Sequence, residues 1–175
     1  MISLIGSMGA GKSTIGRLLA ARLGLVCVDL DELIVEKAGK AIPCIFEEDG
    51  ECVFRALETE LLQALCLDNV AKVLATGGGA VMSAPNRERM KQAGKVIWLD
   101  TPPEILAKRI AGDKNRPLLK GVDALAKAKE LDGQRRKYYK MSADFRVDTS
   151  LMSPAQAVDV IVGLLSDGRN GYESG

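Results

Sequence analysis

The stretch Ile2-Ser3-Leu4-Ile5-Gly6-Ser7-Met8-Gly9-Ala10-Gly11-Lys12-Ser13-Thr14 decides the fold of this chain. Ile2 to Ile5 is an apolar run stopped by Gly6, the pattern of a short buried strand. Gly6 to Ser13 fits Gly-x-x-x-x-Gly-Lys-Ser/Thr. From Lys12 onward, Ile15, Leu18, Leu19 and Leu23 fall on one helical face, and Gly24 ends the run. Strand, glycine loop and helix together form a phosphate cradle. Glycines let successive N–H groups turn inward around phosphate oxygens, and the helix N-terminus adds partial positive charge. In such a cradle Gly9, Ala10 and Gly11 wrap the phosphates, Lys12 reaches the β- and γ-phosphates, the Ser13 hydroxyl ligates Mg²⁺, and Thr14 contacts phosphate nearby.

Working outward, apolar runs alternate with helical patterns. Leu25–Val28, Val73–Ala75, Lys95–Asp100 and Phe145–Val147 read as further strands. Asp29–Leu67 reads as helical, broken near Gly39 and Gly50. Thr101-Pro102-Pro103-Glu104 has capping-box spacing at the start of a helix, and Ser153-Pro154-Ala155-Gln156 is a second such box opening a helix through Leu165. Leu125–Met141 is helical, and Gly112–Gly121 is loop-like. Strands alternating with helices imply βαβ units and a parallel sheet covered on both faces.

Composition narrows the chemistry. The chain has 175 residues, a usual length for one domain. Apolar residues make up 47% and charged residues 27%, and the net charge is +1, which argues against a nucleic-acid-coating protein. There is no histidine, so Ser-His-Asp and Cys-His catalysis and histidine metal ligation are excluded. Cys27, Cys44, Cys52 and Cys66 form no Cys-x-x-Cys pair and are expected to be reduced, mostly buried thiols in a cytoplasmic protein. No basic leader precedes the first strand, and Val73–Asn86, the longest uncharged stretch, is too short and glycine-rich to span a bilayer. Neither Asn-Lys-x-Asp nor Asp-x-x-Gly occurs, against a GTP switch; the length suits a kinase of a small molecule or nucleotide.

Charge is balanced overall but not locally. Asp29 to Glu60 carries ten acids against Lys37, Lys40 and Arg55. Lys108 to Lys140 carries eleven bases against four acids, a surface that is either solvated or closed over a polyanion. Asp29 and Asp31 follow the second strand, where ligands bind in open α/β sheets. Each could cap the next helix, or approach the metal or an acceptor hydroxyl. Arg55 could form an i,i+3 surface pair with Glu58, or grip a substrate carboxylate while Glu58 holds it in place. Gly77-Gly78-Gly79 after a strand suits close backbone approach to a ligand. Arg116, in a loop with flanking glycines, could reach transferring phosphate from a lid.

These pieces, in this order, make the chain resemble the shikimate kinase family. The matching residues are the Gly6–Thr14 loop, Asp29-Leu30-Asp31, Ile45-Phe46, Gly50-Glu51, Phe54-Arg55-x-x-Glu58, Gly77-Gly78-Gly79, Arg109, Arg116-Pro117-Leu118-Leu119 and Arg135-x-x-x-Tyr139. The resemblance spans Ile2 to about Leu165. It implies a three-layer α/β/α P-loop fold with a five-stranded parallel sheet of order 2-3-1-4-5. It implies a single kinase domain over 1–175, with a substrate-binding subdomain at 29–60 and a lid at about 112–124. The implied reaction transfers the ATP γ-phosphoryl group to the 3-hydroxyl of shikimate, with Mg²⁺, in aromatic amino-acid biosynthesis.

By the same resemblance Lys12, Asp31 and Arg116 are catalytic. Asp31, Arg55, Arg135, Phe46, Phe54 and Gly77 to Gly79 bind shikimate, Arg55 and Arg135 through its carboxylate. Arg109 and Pro154 flank the adenine. Ser13 and, through water, Asp29 hold the metal, since no separate acidic residue follows the third strand. A cytoplasmic monomer binding neither nucleic acid nor membrane is expected. A kinase for gluconate or a nucleoside monophosphate, and a regulatory nucleotide-binding protein, are the alternatives.

Overall fold

The computed structural model describes residues 1–110 and 123–167. Its five parallel strands are β1 (Ile2–Ile5), β2 (Val26–Asp29), β3 (Lys72–Ala75), β4 (Lys95–Asp100) and β5 (Phe145–Asp148), in the order β2-β3-β1-β4-β5. The helices are α1 (Lys12–Leu23), α2 (Leu30–Ala38), the single turn α3 (Ile42–Cys44), α4 (Glu51–Leu67), α5 (Ala84–Ala93), α6 (Pro103–Ile110), α7 (Ala124–Ser142) and α8 (Pro154–Asp167). A π-helical turn, Ile45–Asp49, joins α3 to α4, and a 3₁₀ turn, Ala80–Met82, precedes α5.

The sheet is buried on both faces, so its side chains split between two cores by the two-residue strand period. Leu4, Val73, Ile97 and Leu99 face a core completed by α1 and α8, with Ile15, Leu19 and Ile161. Ile5, Leu74, Val96 and Trp98 face the opposite core with Ile34, Phe54, Leu62 and Tyr139. Register aligns the ends of the inner strands, with Ala75 beside both Leu4 and Asp29, and Ile5 beside Trp98. The segments that leave β1, β2 and β3 therefore emerge along one edge of the sheet. The site is built there.

Several local expectations shift. The buried face of α1 is Ile15, Gly16, Leu19 and Ala20, whereas Leu18 and Leu23 are exposed. Gly16 sets this rotation: a Cβ there would stand 3.3 Å from Cys27 Sγ and 3.5 Å from Leu4 Cδ1, so the helix rests on the sheet through a glycine. Thr101 does not cap α6. Its hydroxyl pairs with that of Thr149 at 2.6 Å, tying β4 to β5, and the helix starts at Pro103. The second box forms as read, with Ser153 N–H donating to Gln156 Oε1 at 2.9 Å and Gln156 N–H to Ser153 Oγ at 3.3 Å. Helix α5 was not anticipated, because it is polar all round and buries only Asn86 and Met90. None of the four thiols is fully buried: Cys52 is exposed and the other three are half-buried, all of them free.

Candidate active site

The loop between β1 and α1 has the backbone its sequence calls for. Gly9 and Gly11 lie at φ 84° and 91°, in the left-handed region that side chains disfavour. At Gly6 the demand is steric, since a Cβ would stand 2.5 Å from the Leu99 carbonyl oxygen. Lys12 Nζ donates to the carbonyls of Gly6 and Ser7, both at 2.9 Å, so the ammonium is held across the loop. Ser13 is half-buried and Thr14 exposed in the first turn of α1.

After β2, Asp29 is the N-cap of α2. Its Oδ1 accepts the Asp31 N–H at 3.0 Å. The capping reading therefore holds for Asp29, and the cap orders the backbone that carries Asp31.

The triple glycine after β3 is where the charged side chains meet. A Cβ on Gly77 would lie 2.7 Å from Glu58 Oε1 and 3.0 Å from Asp31 Oδ1. One on Gly79 would lie 2.5 Å from both terminal nitrogens of Arg55. On Gly78 it would lie 3.4 Å from Arg135 Nη1 and equally close to Gly6 O and Met8 N of the phosphate loop. These glycines are the space into which two carboxylates and two guanidinium groups fit, against the wall of the nucleotide loop.

Arg55 and Glu58 do form an i,i+3 pair, Nη1 to Oε2 at 2.9 Å, but it is not a surface pair, because Glu58 is only 1% exposed. Burial pushes the Glu58 carboxyl up. Arg55 pulls it back and Asp31 pushes it further, leaving it above its ordinary value. Burial lowers the Arg55 guanidinium, but Glu58 and Glu51 outweigh that and raise it. Glu51 Oε1 takes the Nε and Nη2 of Arg55 at 3.2 and 3.1 Å. Phe46 and Phe54 pack beside this group with tilted rings 4.8 Å apart, and the guanidinium lies 5.0 Å from the Phe54 ring.

Arg135 and Arg136 divide cleanly. Arg136 bonds Asp100, with Nη2 to Oδ2 at 2.8 Å, and lies over Trp98. Arg135 turns the other way, is 8% exposed, and keeps its Nε buried with no acceptor. Arg55, Glu58, Gly79 and Arg135 border a cavity of about 340 Å³ that is also lined by Thr59 and Gln134. Those last two were not foreseen. Their only signal is sequence proximity to Glu58 and Arg135.

Arg109 is exposed and donates to the Thr149 carbonyl at 3.0 Å, in the segment that leads to Pro154, also exposed. Arg116 and the expected lid lie outside the described residues, save Asp123, whose carboxylate caps α7 by accepting the Leu125 N–H at 2.9 Å, and Ala124.

A glycine cradle at the head of a helix, with paired acids and arginines gathered on the triple glycine beside it, defines a P-loop phosphotransferase with a small acceptor. A sequence model of the shikimate kinase family matches residues 8–166. The chain therefore belongs to the shikimate kinase family, ATP-dependent phosphotransferases. It is 45% identical to the shikimate kinase of Xanthomonas axonopodis pv. citri over 91% of this chain and 88% of that one. With that of Persephonella marina it shares 45% over 93% and 96%. The Acinetobacter baumannii shikimate kinase in complex with shikimate superposes with a TM-score of 0.92 at 42% identity, over 96% of this chain and 93% of that one. Among the described residues no helix is long and apolar enough to cross a membrane.

Proposed function

We propose that this enzyme moves the ATP γ-phosphoryl group to the 3-hydroxyl of shikimate, held between the triple glycine and the phosphate loop. The supporting observation is the meeting of Asp31, Glu58, Arg55 and Arg135 on Gly77 to Gly79. Shikimate is an anion with several hydroxyls. Two arginines beside a carboxylate pair suit its carboxylate and its hydroxyls, and the A. baumannii relative holds shikimate itself.

In this reading Arg55, oriented by Glu58 and Glu51, takes the substrate carboxylate with Arg135. Asp31 hydrogen-bonds the acceptor hydroxyl and takes its proton as the O–P bond forms. Lys12 leaves the Gly6 and Ser7 carbonyls for the phosphates. Gly9, Ala10, Gly11 and Thr14 hold the nucleotide's phosphates, while Arg109 and Pro154 flank its base and Arg116 answers the transferring charge. Catalysis is mostly positioning and charge stabilisation.

The donor set fits Mg²⁺. The Ser13 hydroxyl and the Asp29 carboxylate, which already accepts one backbone N–H, are hard oxygen donors. Among the described residues no cluster of three metal-ligating side chains exists. That suits an ion brought by the phosphates, with Ser13 direct and Asp29 through water. Mg²⁺ supplies neutralisation of phosphate charge. Residues 29–60 act as the acceptor-binding subdomain, in a protein that works as a cytoplasmic monomer.

Measuring ADP release with ATP and Mg²⁺ against shikimate, gluconate, AMP or no acceptor tests this. Shikimate-dependent release is expected. Turnover with another acceptor overturns the pocket assignment. Nucleotide binding without acceptor-dependent turnover overturns the reading altogether.

A further inference from the structure

Tyr139 belongs to no step above, yet its surroundings are unusual. It is fully buried on α7, one turn beyond Arg135. Its hydroxyl donates to the Gly78 carbonyl at 2.6 Å, across a separation of 61 residues. The Ser7 hydroxyl and the Arg135 guanidinium act on the same phenol oxygen, opposing in part the upward push that burial gives its acidity. The group thus stays a neutral donor at working pH. Its ring stacks on Trp98 of β4 with centroids 5.9 Å apart.

One hydroxyl therefore ties α7 to the glycine floor at Gly78, with the phosphate-loop Ser7 and the buried Arg135 close enough to act on its acidity. Gly78 is itself wedged between Arg135 and the backbone of Gly6 and Met8. A shift of its carbonyl would move the floor under the acceptor and the wall against the nucleotide loop together. In the same stretch of α7, Arg136 bonds Asp100, away from the cavity, and the Arg87 guanidinium lies 4.8 Å from the Tyr138 ring.

We propose that Tyr139 is a positioning residue that sets the height of Gly78 and the direction of Arg135, and so couples the phosphate loop to acceptor binding. This rests on the shikimate reading above. Tyr139 touches no substrate. It acts through the groups that do. Losing its hydroxyl keeps the phenyl ring, leaves the half-buried Gly78 carbonyl without its 2.6 Å donor, and takes a polar neighbour from Arg135.

The test is Tyr139→Phe, assayed with both substrates varied. The expected result is a rise of roughly tenfold in KM for shikimate, the scale of one lost charge-assisted hydrogen bond, with KM for ATP changed far less. A double-mutant cycle with Arg135→Lys is expected to be non-additive in shikimate KM, because both changes act on one group. A purely structural tyrosine would lower the melting temperature and leave shikimate KM unmoved or the cycle additive, and either result overturns the proposal. Ser7→Ala, which removes the loop hydroxyl that acts on the same phenol, is expected to raise shikimate KM in the same direction; an unchanged value overturns the coupling even if Tyr139→Phe does not fold. Wild-type turnover with shikimate separates the two levels. Its absence removes the underlying reading, and its presence with an indifferent Tyr139→Phe removes only this one.

Discussion

The two halves of the site are built from different materials. In the proposed reading the nucleotide half is one contiguous loop, Gly6 to Ser13, working through backbone N–H groups, one lysine and the Ser13 hydroxyl. The acceptor half is assembled from side chains on α2, α4 and α7, brought onto a glycine floor after β3. Its members span Asp31 to Arg135 in sequence. Backbone recognition needs only local geometry, so few sequences satisfy it and all of them look alike. Side-chain recognition needs the whole fold: local spacings such as Arg55-x-x-Glu58 can be read, but not that the groups converge on one floor.

Glycines show the difference most sharply. Gly6→Ala sets a Cβ 2.5 Å from a backbone carbonyl of β4, at φ 145°. Neither the strand nor the loop can yield, so loss of both nucleotide binding and folding stability is expected, by several kcal/mol on the scale of strained core sites. Thermal unfolding with and without ATP would show it. A stable, ATP-binding Gly6→Ala protein would mean the loop is not rigid.

Asp31→Asn comes next in size. It keeps shape and removes the proton acceptor, so kcat is expected to fall by more than ~10²-fold with little change in shikimate KM. A near-normal kcat would leave Asp31 only the task of orienting the hydroxyl.

Gly79→Ala brings a Cβ equally close, but onto the tip of the Arg55 side chain. That side chain can turn away. The fold is expected to survive, with a rise of roughly tenfold in shikimate KM and an unaltered KM for ATP. If ATP binding suffers as much as shikimate binding, the two halves are not separable as drawn.

What the sequence made legible follows the same division. The phosphate loop, the sheet order and the strands were readable because glycine spacing and apolar runs are local, or because the resemblance supplied the topology. The rotation of α1 was not, because Gly16 replaces a large apolar residue at the true contact and leaves Leu18 and Leu23 as a false face. The Thr101 box misled for a related reason: its hydroxyl had a better partner in Thr149, a residue 48 positions away. Helix α5 has no apolar stripe to read. In the pocket, Arg55 and Glu58 could be paired from spacing alone, but only packing reveals that the pair is buried. The choice between Arg135 and Arg136 depends on helix rotation, which Asp100 and the Gly78 carbonyl fix from outside α7.

The buried acid gives the smallest effect and the most specific one. Glu58 is raised above its ordinary value by burial, against the pull of Arg55, with Asp31 adding to the rise and Arg135 opposing it. A raised folded value means that the native state holds this proton more tightly than the unfolded chain. Stability from this group is then fully present below the unfolded value and is lost as pH rises through the folded one. Glu58→Gln removes that titration. Across the range from the ordinary carboxylate value to the raised one, wild type is expected to lose stability relative to the variant, while at more acid pH the difference between them is flat. Denaturant unfolding of both proteins along a pH series reads this slope. Arg55 attracts the ionised carboxylate, so its pull titrates in the same range and opposes the effect of burial within the slope itself. A wild type that gains stability over Glu58→Gln as pH rises would mean that Arg55 outweighs burial, and the pair would then stabilise the fold as well as orient the guanidinium.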